Sequence, residues 1–374
     1  MVLDRFRPAN RQKIDLWLML LILALVGIGL MMVSSASVVD SWKNFGSNYY
    51  FLVRQLWAAL VGLIALIIAT MIDYRIWQRL APWLGAGVIV LLILPHVPGL
   101  GLTLQGAQRW ISVGGLSVQP SEFVKLLAIL YTAAWLAARA DRMGNARTTF
   151  WPFAFGIGGL TLWILIQPDA GTAMTLAATL FLMYVVAGAR SSHILALVGI
   201  GIVGVALMLT SPYRTERLMT FFNPNQAVLG SGYQINQSFV AIGSGGWTGL
   251  GFGQSLQKYL FLPEVQTDSI FAITTEELGF IRVMLILALF GAIAYRGFSI
   301  ARRVTDPFGR LTAFGVSTIF FVQMLVNAGA MLGVVPLTGV TLPLISFGGS
   351  SLVATLAGLG ILLSISKHIE RIEA

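Results

Sequence analysis

The sequence contains no cysteine, which excludes disulfides, thiolate nucleophiles and Cys-ligated metals. Any catalysis must therefore use carboxylates, hydroxyls, amides or cations. Histidine is almost as scarce. His96, His193 and His368 are far apart, form no metal-ligand spacing, and are read as interfacial side chains near helix ends. Charge is thin too. Only 10% of the 374 residues are charged, against about 25% in soluble domains, and 57% are hydrophobic. This excludes an ordinary soluble protein and makes the chain an integral membrane protein. The 24 Lys and Arg outnumber the 15 Asp and Glu, but no basic patch with interleaved aromatics and no zinc-finger spacing points to nucleic acid. No small-residue cleavage pattern follows the basic start MVLDRFRPANRQKID, so the first apolar run is read as an uncleaved helix. Without internal repeats or low-complexity tails, residues 1–374 are treated as one domain.

Long apolar runs are plentiful. A span of about 20 residues crosses a hydrocarbon core, and ten candidates are present: 16–37, 51–71, 77–97, 121–139, 151–166, 172–189, 193–211, 269–295, 311–332 and 348–366. The fifth is short and is followed by a Gln-Pro-Asp break, so the fifth and sixth are also compatible with a hairpin turning within the membrane. Sixteen of the 24 basic residues fall on one side if the N-terminus is cytoplasmic. The positive-inside rule then places both termini in the cytoplasm and the long loop 212–268, between helices seven and eight, outside. The expected fold is an all-α polytopic membrane protein of about ten transmembrane helices.

Four stretches carry chemistry. In QGAQRWISVGGLSVQPSEFVK, residues 105–125, Pro120 and Glu122 suit the first turn of a helix, and Glu122 and Lys125 share a face. Lys125 is suited either to that ion pair or to a phosphate, and Arg109 either to anionic headgroups or to a snorkelling anchor. In Gln167-Pro168-Asp169-Ala170-Gly171-Thr172, the simplest reading is a turn with Asp169 capping the next helix, though Asp169 is also a candidate wall of an outer cavity. The outer loop shows no obvious regular structure, and its glycines from Gly243 to Gly253 do not form a phosphate-binding loop. It runs through FLPEVQTDSIFAITTEELGF, residues 261–280, placing Asp268, Glu276 and Glu277 at or inside a membrane boundary. Ionisable groups there suggest a site. Asp268 is equally placed to cap the following helix, and Glu276 or Glu277 to pair with Arg282. Finally, VVPLTGVTLPLISFGGSSL, residues 334–352, has the Pro and Gly interruptions of irregular backbone lining a cavity. Gln323 and Asn327, on the preceding helix, are read as interhelical hydrogen-bonding residues.

Together these motifs, in order and over nearly the full length, resemble the SEDS family of polytopic glycosyltransferases typified by FtsW, RodA and SpoVE, with wording closer to the FtsW and SpoVE branch. The resemblance implies polymerisation of lipid II into glycan strands at the outer face of the bacterial cytoplasmic (inner) membrane, in cell division or cell-shape maintenance. It also implies a class B penicillin-binding protein as transpeptidase partner, beside other division or elongation proteins. The family's catalytic aspartate falls on Asp268, expected as general base of an inverting transfer. The expected substrate-binding residues are Arg109, Glu122, Lys125, Lys258, Glu264, Glu276, Ser346 and Ser350. No metal ligands are assigned; a divalent cation (Mg or Mn) is an alternative to Lys125 or Arg109 for neutralising the departing pyrophosphate. The chain departs from the family where Arg282 and Val283 replace a Gly-Gly pair after Phe280-Ile281, and where Phe347 replaces a tyrosine. Two other classes fit the same physical features: a lipid II flippase or transporter, and a non-catalytic divisome scaffold.

Overall fold

The computed structural model describes residues 14–104, 107–113, 116–208, 221 and 230–369. Its helices are α1 (Leu16–Ala36), α2 (Val38–Phe45), α3 (Tyr50–Met71), α4 (Arg75–Arg79), α5 (Ala81–Ile93), α6 (Pro120–Ala137), α7 (Trp151–Ile166), α8 (Ala170–Val186), α9 (Ser191–Met208), α10 (Ser231–Gly245), α11 (Ile270–Arg303), α12 (Pro307–Met331) and α13 (Gly349–Ser366). Each of the ten apolar segments coincides with a helix, the last residues of 193–211 lying outside the described residues. Among the described residues, six helical stretches are long and apolar enough to cross a membrane: α1, α3, Ala146–Ile166 with α7, α11, α12 and α13. The most apolar windows of α12 and α13 are 67% and 72% buried, against 22% for α3. These two helices therefore form the middle of the bundle, and α3 faces outward.

Two expectations need correction. The fold is not all-α, because residues 101–118 form a three-stranded antiparallel sheet of β1 (Gly101–Leu104), β2 (Ala107–Val113) and β3 (Leu116–Val118). Nor is the outer loop irregular throughout. Gly232, Ile235, Ser238, Ala241 and Gly245 are buried at helical spacing, and they form the stripe by which α10 lies against its neighbours. Its small and polar residues hide the periodicity from any hydropathy reading. Residues 212–220 and 222–229, with Arg214 and Arg217, lie outside the described residues.

The two ends of the bundle differ. At one, Asp15 N donates to Ser366 Oγ (3.4 Å), Lys367 Nζ to Thr70 O (2.7 Å), and Arg296 lies 3.8 Å from Asp15. The start of α1 and the end of α13 thus share a face rich in Arg and Lys. The loop 246–269, the sheet and the segment 332–348 gather at the other.

A break in α11 joins the loop to the bundle. Gly279 has φ 76° and ψ 171°, a conformation open essentially to glycine alone. The break frees the carbonyls of Glu276 and Glu277, which accept instead from Leu250 N and Gly251 N (both 3.0 Å). In exchange, Phe280 N and Ile281 N donate to Gly246 O and Trp247 O (2.9 and 3.2 Å). Full satisfaction of backbone groups is what makes a broken helix tolerable in a membrane protein. A Cβ at Gly279 would lie 2.2 Å from Gly249 N. Gly279→Ala is therefore expected to lower the stability of the solubilised protein by about 1–3 kcal/mol, read as an earlier thermal unfolding transition.

A candidate active site at the loop end of the bundle

Asp268 immediately precedes Ser269, which holds the N-cap position of α11. The capping expectation thus falls one residue off, and the hydroxyl of Ser269 turns to Pro263 O instead (2.8 Å). Asp268 is half-buried, open enough to meet a substrate. Its backbone is held from outside: Phe347 N donates to Gln266 O (2.7 Å), Ser346 Oγ to Thr267 O (2.6 Å) and Asn327 Nδ2 to Asp268 O (2.9 Å). Three successive carbonyls are bound this way, two of them by residues of 332–348. Asn327 Nδ2 also donates to Val340 O (2.7 Å), and Ser346 Oγ accepts from Leu342 N (2.8 Å), so the irregular segment is satisfied by the same side chains. Asn327 therefore does more than join helices. Glu264 accepts from Thr267 Oγ1 (2.9 Å) and braces the turn.

Gly339 lies beside the carboxylate, where a Cβ would sit 3.3 Å from Asp268 Oδ2. The residue before it, Thr338, presents its carbonyl 2.6 Å from where a Cβ of Gly171 would be. The first turn of α8 is thereby brought to the same rim. Asp169 Oδ1 caps α8 through Thr172 N (3.1 Å), as expected, and lies 3.9 Å from Arg109 Nη1. Its Oδ2 accepts from Gln119 Nε2 (3.2 Å) and Ser121 Oγ (3.3 Å), and Gln119 N donates to Ser350 Oγ (3.0 Å). Arg109 is the extra residue where the register of β2 shifts, between Trp110 opposite Leu102 and Gln108 opposite Thr103, and its side chain is largely buried beside Asp169. One turn into α6, Lys125 Nζ lies 2.9 Å from both carboxylate oxygens of Glu122, both residues buried.

Glu276, Glu277 and Lys258 form a separate group two turns along α11. Lys258 Nζ donates to Gly253 O (2.6 Å) and Ser35 Oγ (3.3 Å) and lies 3.0 Å from Glu277 Oε1. Ser35 Oγ also lies 2.6 Å from Glu277 Oε1, and Ser255 Oγ donates to Glu276. Leu256 N completes the set on Glu276 Oε1 (3.0 Å). This buried arrangement ties the loop to α11 and α1. Arg282 joins neither glutamate; its Nη1 donates to Thr248 O (2.9 Å) and Leu278 O (3.4 Å).

Sequence reasoning missed Asp40 on α2. Burial pushes its carboxyl above the ordinary aspartate value, with Glu264 adding to this against a Gln266 hydrogen bond and Lys43. The folded state thus disfavours the charged form. The stability Asp40 allows is fully present below its unfolded value, near about pH 4, and is lost as pH rises through the higher folded value. Asp40→Asn is expected to raise the melting temperature at neutral pH, with the gain vanishing as pH falls below about 4. A melting series across pH checks this. Gln55 was missed as well: Nε2 donates to Ser346 O (3.1 Å) and Oε1 accepts from Gly348 N (3.2 Å). No local pattern around Asp40 or Gln55 marks either one.

Residues 16–371 match the family model described as "Cell cycle protein", which covers FtsW, RodA and SpoVE. Stage V sporulation protein E of Bacillus subtilis (strain 168) is 42% identical over 355 residues, covering 95% of this chain and 97% of that protein. A "Probable peptidoglycan glycosyltransferase FtsW" of Trichlorobacter lovleyi is 40% identical over 368 residues, covering 97% and 96%. Among solved structures, a chain in "Structural coordination of polymerization and crosslinking by a peptidoglycan synthase complex" is similar with a TM-score of 0.73 at 30% identity, covering 94% of this chain and 97% of that one. The Thermus thermophilus rod shape determining protein RodA is similar at 0.68 and 29% identity, covering 96% and 98%.

Proposed function

We propose that this chain, which belongs to the FtsW, RodA and SpoVE family, is a peptidoglycan glycosyltransferase that polymerises lipid II with inversion, using Asp268 as general base. The relatives named as glycosyltransferases support the activity. The observation that carries the site is a half-exposed carboxylate whose own backbone and both preceding carbonyls are clamped, beside a glycine, at a rim shared with Asp169, Arg109 and the start of α6. In this reading the 4-hydroxyl of the acceptor GlcNAc attacks C1 of the donor MurNAc. Asp268 takes the hydroxyl proton, and undecaprenyl pyrophosphate leaves. Because pyrophosphate is already a good leaving group, one base with cationic stabilisation suffices, without the paired carboxylates of glycosidases.

Arg109 and Lys125 supply positive charge on the donor side, with Glu122 holding Lys125. Ser346 holds Asp268 in place, and Ser350 holds Gln119 beside Asp169. Glu264, Glu276 and Lys258 shape the loop under the substrate. Among the described residues no three His, Asp or Glu gather to hold a metal. A magnesium or manganese ion here would take most of its ligands from phosphate oxygens and water, as Mg²⁺ does beside one or two carboxylates. Ten transmembrane helices, cytoplasmic termini and an extracytoplasmic site in the inner membrane complete the assignment, with a class B penicillin-binding protein as transpeptidase partner.

The test is incubation of the purified protein and its partner with lipid II, with and without magnesium or manganese. Glycan strands are expected; lipid translocation in liposomes without polymer overturns the assignment. Within it, Asn327→Ala is expected to slow polymerisation by roughly 10- to 100-fold while leaving lipid II binding intact, since misplacing a reacting group by about 1 Å costs that order.

A further inference from the structure

We propose that the groove between α1 and α11 binds an anionic phospholipid of the outer leaflet, one acyl chain lying along it and the phosphate on Arg282. The assignment to the outer leaflet rests on the orientation given above; the site itself does not depend on the reaction. The groove has a volume of about 450 Å³ and is walled by apolar side chains, among them Ile28 and Met32 of α1 and Leu285 and Leu289 of α11, with Phe252 of the loop at one end. Arg282 is the one charged residue lining it.

Its dimensions select the occupant. From Phe280 to Leu289, past the break at Gly279, the helix rises about 14 Å, close to half of a hydrocarbon core of about 30 Å. A volume of about 450 Å³ over that length leaves a cross-section of about 33 Å². This admits an extended hydrocarbon chain but not a helix of about 10 Å diameter. A partner's transmembrane segment is therefore disfavoured.

The charge selects the headgroup. Ser35 at the end of α1 meets Glu277, so Arg282, five residues on and just past the break at Gly279, lies near the end of that span. Arg282 is exposed there, and its two protein hydrogen bonds both come from Nη1 to carbonyls. Neither nearby carboxylate neutralises it: Glu277 faces Lys258 and Ser35, and Glu276 faces Ser255. A guanidinium on a lipid-facing surface needs an anionic partner, and its planar fork matches phosphate oxygens.

The test is native mass spectrometry of the purified full chain titrated with phosphatidylglycerol or phosphatidylcholine. Wild type is expected to bind phosphatidylglycerol about fivefold more tightly, the contribution of one basic residue at a membrane surface. Arg282→Gln, which removes the charge but keeps a polar side chain, is expected to lose that preference. Leu285→Trp, which fills the groove, is expected to lose both lipids. Unchanged melting temperatures show that each variant is folded, and should Leu285→Trp fail this control, the Arg282→Gln comparison stands alone. A photo-crosslinking residue at Leu289 is expected to capture phospholipid in membranes. Equal preference in wild type and Arg282→Gln, or capture of a protein helix in place of lipid, overturns the proposal.

Discussion

Replacing Asp268 by asparagine is expected to leave a protein that reaches the membrane in normal amount and binds its transpeptidase partner, yet makes glycan at about one hundredth of the wild-type rate or less. Asparagine keeps the shape of the side chain, and the N-cap position of α11 belongs to Ser269, which is untouched. The clamps on residues 266–268 hold carbonyls of the backbone, so the substitution leaves all three in place. What disappears is the basic oxygen that takes the proton. Single-turnover polymerisation with purified protein and lipid II reads the effect. A folded Asp268→Asn protein that polymerises at near wild-type rate would move the role elsewhere, to Glu122 or Glu276. Both would first have to leave a buried partner, Lys125 for the one and Ser255 for the other.

The second large effect is expected at Lys258. Removing it by Lys258→Ala leaves Glu277, fully buried, with only Ser35 and a backbone N–H against its carboxylate. Breaking a buried pair from one side costs about 3–5 kcal/mol. Removing both charges together, as in Lys258→Met with Glu277→Gln, is expected to cost clearly less, because no uncompensated charge remains. Unfolding of the solubilised single and double variants compares the two. A Lys258→Ala protein within about 1 kcal/mol of wild type would show that the pair does not hold the loop. Limited proteolysis between Gly253 and Lys258 offers an independent readout, since that stretch loses one of its ties to α11 and keeps those of Ser255 and Leu256.

The helices were legible because a hydrocarbon core imposes length and apolarity on each crossing segment, a constraint any window of about 20 residues displays. The family was legible because the whole motif string points to one, and the role proposed for Asp268 rests on that resemblance. Elsewhere local pattern misled. Arg109 reads as an interfacial anchor when only its neighbour Trp110 is considered, yet in the structure it lies 3.9 Å from the buried Asp169. Arg282 reads as a partner for the glutamates five and six positions before it, yet a break at Gly279 turns it to a carbonyl of the loop. The stripe of α10 is made of glycine, serine and alanine with a single isoleucine, too small and polar to register as amphipathic.

The sequence by itself determined the solvent this protein lives in, its succession of helices and its family, because composition, run length and long motifs are properties of the chain read in order. Only the tertiary structure decided which groups act together. Ser35 meets Glu277 from 242 positions away, and Asn327 reaches Asp268 from 59. Such partners are chosen by the packing of helices distant in sequence and by the need of every buried polar group for a hydrogen bond. No spacing along the chain encodes that choice, which is why the pairing of Glu277 with Lys258 and Ser35, and of Glu276 with Ser255, is visible only in the folded protein.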